Sequence, residues 1–279
     1  MRKDFLLSAL LVTLLVSCSA FDDWFGRDDN LKAGDMSTAV TDDGQLYNMN
    51  FDLWSKDDGD WVCYGSSADA DQKMVWGSAN SSTSSLGIQT CVPESGFLAV
   101  EGEGKHAVKL KTQLIKAIIV KKLAAGSIFT GSMGTTNYTK MTATLNWGIP
   151  FTLRPKAIEG YACYKPKTIN VVNKPYQDKK GTLDKGHVMV LLTDWDSQFI
   201  VDPAKDRFVD PEDDRVIGYG KVTFDSIMDG YEKFTLDIDY RDERTPKFVV
   251  VVASSSSFGD YFTGGEGSTL YLDEFRFVY

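Results

Sequence analysis

Histidine and cysteine are scarce in this chain. Among its 279 residues are two histidines, His106 and His187, and four cysteines, Cys18, Cys63, Cys91 and Cys163. Their spacing matches no zinc site, and the cysteines read as small buried hydrophobes. No GxxxxGK[ST] loop is present; the nearest stretch, GGEGST at 264–269, puts Glu266 where a phosphate would need a cation, so it reads as a turn. Neither histidine has a serine elbow or a neighbouring cysteine in sequence, which disfavours nucleophilic catalysis. Basic residues are outnumbered, 30 against 39 acidic, for a net charge of −9 and a pI near 4.8. That balance excludes nucleic acid and anionic lipid surfaces, which both require basic patches. Long amphipathic helices are missing too.

No apolar run reaches the ~20 residues of a spanning helix. The longest, Phe5 to Val16, follows Arg2 and Lys3 and leads into Leu15, Val16, Ser17 and Cys18. This is a basic n-region, a short h-region and a cleavage site. The tetrapeptide resembles the bacterial lipobox, which implies removal of residues 1–17 and a lipid on Cys18; the following SAFDD is similar to the surface-export tag of Bacteroidetes lipoproteins. The expected location is the outer membrane, surface-exposed, with the membrane reached only through that lipid. Cys63, Cys91 and Cys163 remain, an odd number, so a Cys63–Cys91 bridge is open but not implied. Residues 18–47 are acidic and aperiodic and predict a tether, with a single β domain over 48–279.

What is abundant is short β-rich runs between Gly, Asp, Ser and Pro clusters: NFDLW, KHAVKLKTQ, KMTATLNW, FTLRP, AIEGYACYK, HVMVLLTDW, VIGYGKVTF, KFTLDIDY, KFVVVVASS and the terminal LYLDEFRFVY. Most alternate with period two, and FVVVV is continuous, as in a strand buried on both faces. The pattern predicts an all-β fold, an antiparallel β-sandwich or jelly roll.

In the terminal run, alternation places Asp273 with Tyr271, Phe275 and Phe277 on one face. A carboxylate there needs an answer. If the NFDLW strand neighbours the last one, Asp52 approaches Asp273, and a calcium ion between them is one answer. An Arg154 pair and an outward-turning bulge are the others.

Glycan recognition needs exposed rings beside planar polar groups. The candidate rings are Trp54, Trp76, Trp195, Tyr161, Tyr164 and Tyr261. A glycosidase would need two carboxylates, and Glu103, Glu159, Asp260 and Glu266 are candidates among which sequence does not choose. The blocks WGSAN at 76–80, GKHAVKLKT at 104–112, LAAGSIFTG at 123–131, PFTLRPKAIEGYACYKP at 150–166 and SSFGDYFTGGEGSTLYLDEFRFVY at 256–279 together resemble the putative carbohydrate metabolism domain of Bacteroidetes lipoproteins. The resemblance implies a jelly-roll sandwich similar to carbohydrate-binding modules, which often carry a structural calcium. Its partner would be a poly- or oligosaccharide. A glycoside hydrolase or lyase, and a structural or adhesive surface protein, are the alternatives.

Overall fold

The computed structural model describes residues 31–279 other than 33, 35, 101–103 and 118–119, without the side chains of 116, 117 and 120. The expected signal segment, Cys18 and Glu103 lie outside the described residues. The elements are β1 Ser55–Asp57, β2 Asp60–Val62, α1 Ala70–Lys73, β3 Trp76–Ser78, α2 Asn80–Thr83, β4 Cys91–Glu94, β5 Ala107–Lys111, β6 Gln113–Ala117, β7 Val120–Ala124 and β8 Ser127–Asn137. There follow β9 Thr142–Trp147, β10 Ile149–Pro150, β11 Ala157–Lys165, β12 Gly186–Thr193, β13 Phe199–Val201, β14 Val216–Phe224, β15 Glu232–Asp237, β16 Asp239–Tyr240, β17 Phe248–Ser254 and β18 Thr269–Val278.

A nine-stranded antiparallel sheet runs in the order β13, β9, β8, β17, β12, β14, β16, with β3 on β8 and β10 on β17. A five-stranded sheet, β15, β11, β18, β5, β4, packs against it, and β1–β2 and β6–β7 are separate hairpins. Strand β17 shows why the layers hold. Its Val249, Val251 and Ala253 point into the inter-sheet core with Val188, Val190 and Leu272, while Phe248, Val250 and Val252 join a second cluster on the outer face with Phe129, Leu191 and Trp147. Each such fully buried side chain is worth about 1.5–3 kcal/mol relative to exposure. At one end Asp184, fully buried, accepts hydrogen bonds from Ser256 Oγ (2.6 Å), Ser268 Oγ (3.0 Å) and the backbone N–H of Gly265 (2.7 Å) and Lys185 (2.8 Å). Ser256 follows β17 and Ser268 precedes β18, so this carboxylate ties the two sheets together.

The structure corrects the expected strand faces at the C-terminus. Opposite Glu159 and Tyr161 of β11, strand β18 carries one extra residue between Arg276 and Asp273, and Glu274 takes the left-handed conformation, φ 50°. A bulge exchanges the faces beyond it. Leu270 and Leu272 before it and Phe275 and Phe277 after it therefore all face the core, and Phe275 is not on the side of Asp273. A Cβ on Gly160 would sit 2.5 Å from the Phe275 ring, so only glycine fits opposite the bulge.

Two further expectations change. NFDLW is not a strand: Asn48 and Phe51 adopt positive φ (54° and 64°), and the Asn48 side chain pins the turn by bonding Leu53 N–H (2.8 Å) and the Leu53 and Cys63 carbonyls. Part of the expected tether belongs to the domain. Ala39 and Leu46 are in the core, and the Gln45 amide exchanges hydrogen bonds with the Phe277 backbone (2.6 and 3.2 Å). Cys63, Cys91 and Cys163 are free and buried.

Candidate functional site

The structure divides the candidate rings. Tyr164 is fully buried with its hydroxyl donating to the Ser255 carbonyl (2.8 Å); Trp76 and Trp195 are buried as well. Packing against the core removes these three from any sugar-facing surface. Trp54 is half-buried and donates its indole N–H to the Phe51 carbonyl (2.7 Å). Tyr161 and Tyr261 remain half-exposed, on different faces of the sandwich.

Asp52 and Asp273 do come together, as a loop and a strand. A Cβ added to Gly104 would lie 2.9 Å from Asp52 Oδ1 and 3.1 Å from Glu274 Oε1. Asp273 is 2% exposed; burial pushes its carboxyl up to about 6, with the Asp52 charge adding to this and two backbone donors opposing it. Those donors are the N–H groups of Ala99 (2.9 Å) and Glu274 (3.0 Å). Asp52 is likewise engaged, by the N–H groups of Lys105 and His106 and by Asn50 Nδ2 (2.8 Å). All four carboxylate oxygens thus accept N–H donors, and no group of three metal-ligating side chains gathers among the described residues. Among the described residues, these do not form a calcium cage. Arg154 is elsewhere, bonded to the Asp242 and Arg244 carbonyls and stacked 4.1 Å from the Tyr240 ring centroid, and the bulge leaves Asp273 buried. What Asp273 finds is backbone.

The outer face of the nine-stranded sheet carries a groove of about 250 Å³. Its floor is built by β8, β9, β12 and β17, presenting Phe129, Trp147, Met189 and Val252, and its walls by α2 and the β6–β7 hairpin. Opposite Met189 on β14 stands Lys221, and on the other side Val252, so one row crosses three strands. At one end the turn 259–261 brings in Asp260. Asp260 is exposed at the mouth of the groove; the protein packed beside it raises its carboxyl above the usual range and the Lys221 ammonium pulls the other way. Burial also lowers Lys221. His187, at the start of β12, is 8% exposed with Nδ1 3.2 Å from Ser257 Oγ; burial, then the Lys221 charge, depresses its value to about 3, so the imidazole is neutral.

Beside Asp260 four half-exposed rings form a ladder: Phe258 to Tyr176 at 4.4 Å, Tyr176 to Tyr261 at 5.1 Å and Tyr261 to Phe208 at 4.8 Å. The Tyr261 hydroxyl is pushed up by burial, then by Tyr176, Asp206 and Asp260. Aromatic faces next to a carboxylate, an ammonium and a neutral imidazole match the needs of a hydroxyl-rich ring. Asp260 is the only carboxylate among the described residues lining the groove. Lys221, Tyr176 and Phe208 were missed in the sequence. Only the hydrophilic side of the VIGYGKVTF alternation hinted at Lys221, and no local signal marks the other two.

On the opposite side of the molecule, Tyr161 lines a depression of about 210 Å³ with Glu159, Lys233, Glu274 and Arg276. Arg276 (2.6 Å) and Lys233 (3.1 Å) hold the Glu159 carboxyl below its usual value. Its charges are already matched to one another.

The model of the putative carbohydrate metabolism domain family matches residues 50–278. Among solved structures, a putative glycoside hydrolase from Bacteroides thetaiotaomicron VPI-5482 is 22% identical with a TM-score of 0.62, the match covering 82% of this chain and 70% of that one. A putative glycoside hydrolase from Bacteroides vulgatus ATCC 8482 is 18% identical with a TM-score of 0.55, covering 84% and 90%. At these identities the likeness establishes the β-sandwich fold. No curated protein matches the sequence.

Proposed function

The chain belongs to the putative carbohydrate metabolism domain family, and from that premise we propose that it is a surface-exposed envelope lipoprotein that binds glycan in the groove of the nine-stranded sheet. The observation that carries the site is the ring ladder through Tyr261, the sequence neighbour of Asp260, whose carboxylate in turn feels the Lys221 ammonium. Sugar C–H faces lie on the rings, and hydroxyls donate to Asp260 and accept from Lys221. Binding is favoured over hydrolysis because a second carboxylate does not line the groove among the described residues.

The anchor is Cys18, acylated after removal of residues 1–17. Changing Cys18 to Ala is expected to release the protein from the membrane fraction, and unchanged retention would count against the anchor. For the site, the purified full-length protein is screened against a glycan array with analysis of released products. The expected outcome is retention of one saccharide class, lost in Asp260→Ala, without product release. Binding unaffected by Asp260→Ala removes the groove from the reading, and released oligosaccharide replaces the binder with an enzyme.

A further inference from the structure

The protein carries a net charge of −9, yet its groove does not share that sign. Asp260 is answered by Lys221. Lys122, on β7, contributes an ammonium to the lining, and it lacks the carboxylate partner that several other lysines of this chain have. Lys109 pairs with Glu94 (3.2 Å), Lys233 with Glu159 (3.1 Å) and Lys247 with Asp196 (2.8 Å). Lys122 has no carboxylate within ion-pair distance among the described residues; its Nζ donates to the Lys140 carbonyl (3.0 Å) and lies 3.6 Å from the centroid of the Phe262 ring.

A half-buried ammonium without a counter-charge has lost hydration that a carbonyl dipole and a ring face only partly restore. Its value is lowered accordingly, by burial alone. Phe262 is itself held in the left-handed region, φ 52°, at the end of the turn that carries Asp260, a conformation that costs free energy and that tertiary structure must maintain. The turn therefore presents a carboxylate with its own lysine on one side and a ring topped by an unmatched cation on the other.

Resting on the glycan-binding reading of this same groove, we propose that the saccharide it takes is anionic, with a carboxylate or sulfate group seated against Lys122 while the adjoining sugar ring lies on Phe262. The anion supplies the counter-charge that the fold leaves out, and Asp260 with Lys221 reads the hydroxyls further along. An acidic protein then discriminates among glycans by a local cation rather than by its overall field, which repels polyanions at a distance. Affinity for an acidic saccharide accordingly falls with salt, and Lys122 carries the part of that dependence that distinguishes charged from neutral saccharides.

The test is calorimetric titration of the full-length protein with tetragalacturonate, its fully methyl-esterified neutral form, and a sulfated chondroitin tetrasaccharide, each repeated with Lys122→Met and Lys122→Arg. The expected result is at least a tenfold preference for a charged form over the neutral one at low salt. Lys122→Met abolishes that preference and Lys122→Arg keeps it, and whether the uronate or the sulfate is preferred identifies the group. Equal affinity for charged and esterified forms overturns the charge proposal and leaves glycan binding standing. Absence of binding by every member, together with no movement of the resonance of methylated Lys122 on adding any of them, overturns both. Lys122 makes no ion pair, so Lys122→Met is expected to melt with the wild type, and the comparison stays one of binding.

Discussion

The two outer faces of the sandwich solve the same problem in different ways. Each sheet buries one side in the common core and must do something with the other. The nine-stranded sheet covers its second side with a further apolar cluster, Phe129, Leu191, Val250 and Val252 among its members, and the cover stops short, leaving the groove. The five-stranded sheet instead lays charge pairs across its second side, Glu159 with Arg276 and Lys233, and Lys109 with Glu94. Over these it folds the segment 95–100, whose Phe97 stacks on Tyr231 (4.6 Å) and meets Tyr271 edge-on (5.3 Å), and whose Ala99 N–H reaches Asp273. One face ends with unmatched polar groups around an apolar gap; the other ends with its valences satisfied. A ligand gains most where the protein has left something unanswered.

The largest expected effect concerns what both faces share. Replacing Asp184 with Ala leaves buried donors from Ser256, Ser268, Gly265 and Lys185 without an acceptor. At about 1–3 kcal/mol per unsatisfied group, partly relieved by relaxation, the loss is about 4 kcal/mol. Urea unfolding should show it, with the groove and the 95–100 segment reporting one transition; two separate transitions would show that the faces are not one cooperative unit.

Next come two buried titrations, one on each face, with opposite signs. Asp273 has a folded value of about 6 against about 3.9 unfolded. The folded state therefore binds that proton more tightly, and stability present below pH 4 is lost as pH rises through 6, by about 3 kcal/mol. For His187 the folded value, about 3, lies below the ordinary ~6.5, so its contribution is present above 6.5 and lost as pH falls toward 3. Urea midpoints of Asp273→Asn relative to wild type should rise between pH 4 and 7.5, and those of His187→Gln relative to wild type should rise in the other direction. Parallel trends would sink the assignment. The same melts in chelator and then in millimolar calcium are expected to coincide, because the oxygens of Asp52 and Asp273 are held by N–H groups; an upward shift with calcium would overturn that reading.

A smaller effect separates the faces by ligand. Tyr261→Ala should weaken saccharide binding by roughly 30-fold, about 2 kcal/mol, the loss typical of an aromatic contact at the centre of a site. Tyr161→Ala, on the other face, should leave affinity unchanged. The reverse result would move the site to the five-stranded sheet.

Much of the fold was legible because strands announce themselves through alternation and β-branching. AIEGYACYK and VIGYGKVTF coincide with β11 and β14 residue for residue, and the unbroken FVVVV is buried on both faces as its composition requires. Legibility failed where one residue changes parity. Nothing in LYLDEFRF announces that Glu274 adopts positive φ, yet that single bulge puts Phe275 and Phe277 on the side of Leu270 and Leu272 and parts them from Asp273. It failed again for rings, since Trp76, Trp195 and Tyr164 have the same local neighbourhoods as half-exposed ones and only the opposing sheet or loop decides. The site was legible in one member per segment. Tyr261 and Asp260 stood out as candidates, whereas Lys221, Phe208 and Lys122 join them through strand order and loop return, which no local pattern records.

The smallest expected effect is that of Glu159→Gln, and its smallness is informative. Glu159 accepts two hydrogen bonds from the Arg276 guanidinium (2.6 and 3.1 Å) and an ion pair from Lys233 (3.1 Å), which looks like the strongest polar cluster on the molecule. The Arg276 and Lys233 side chains are nonetheless 65% and 51% exposed. Water and salt screen their attraction, and ordering two long side chains costs entropy. The depressed Glu159 carboxyl gives stability present above the ordinary glutamate value and lost as pH falls through the lower folded one, so neutral pH and low salt are where any effect is greatest. Even there the melting midpoint of Glu159→Gln should agree with wild type within error, and its saccharide affinity should be unchanged. If affinity falls with the midpoint constant, the five-stranded face holds ligand after all, and its matched charges are a recognition surface rather than a finished one.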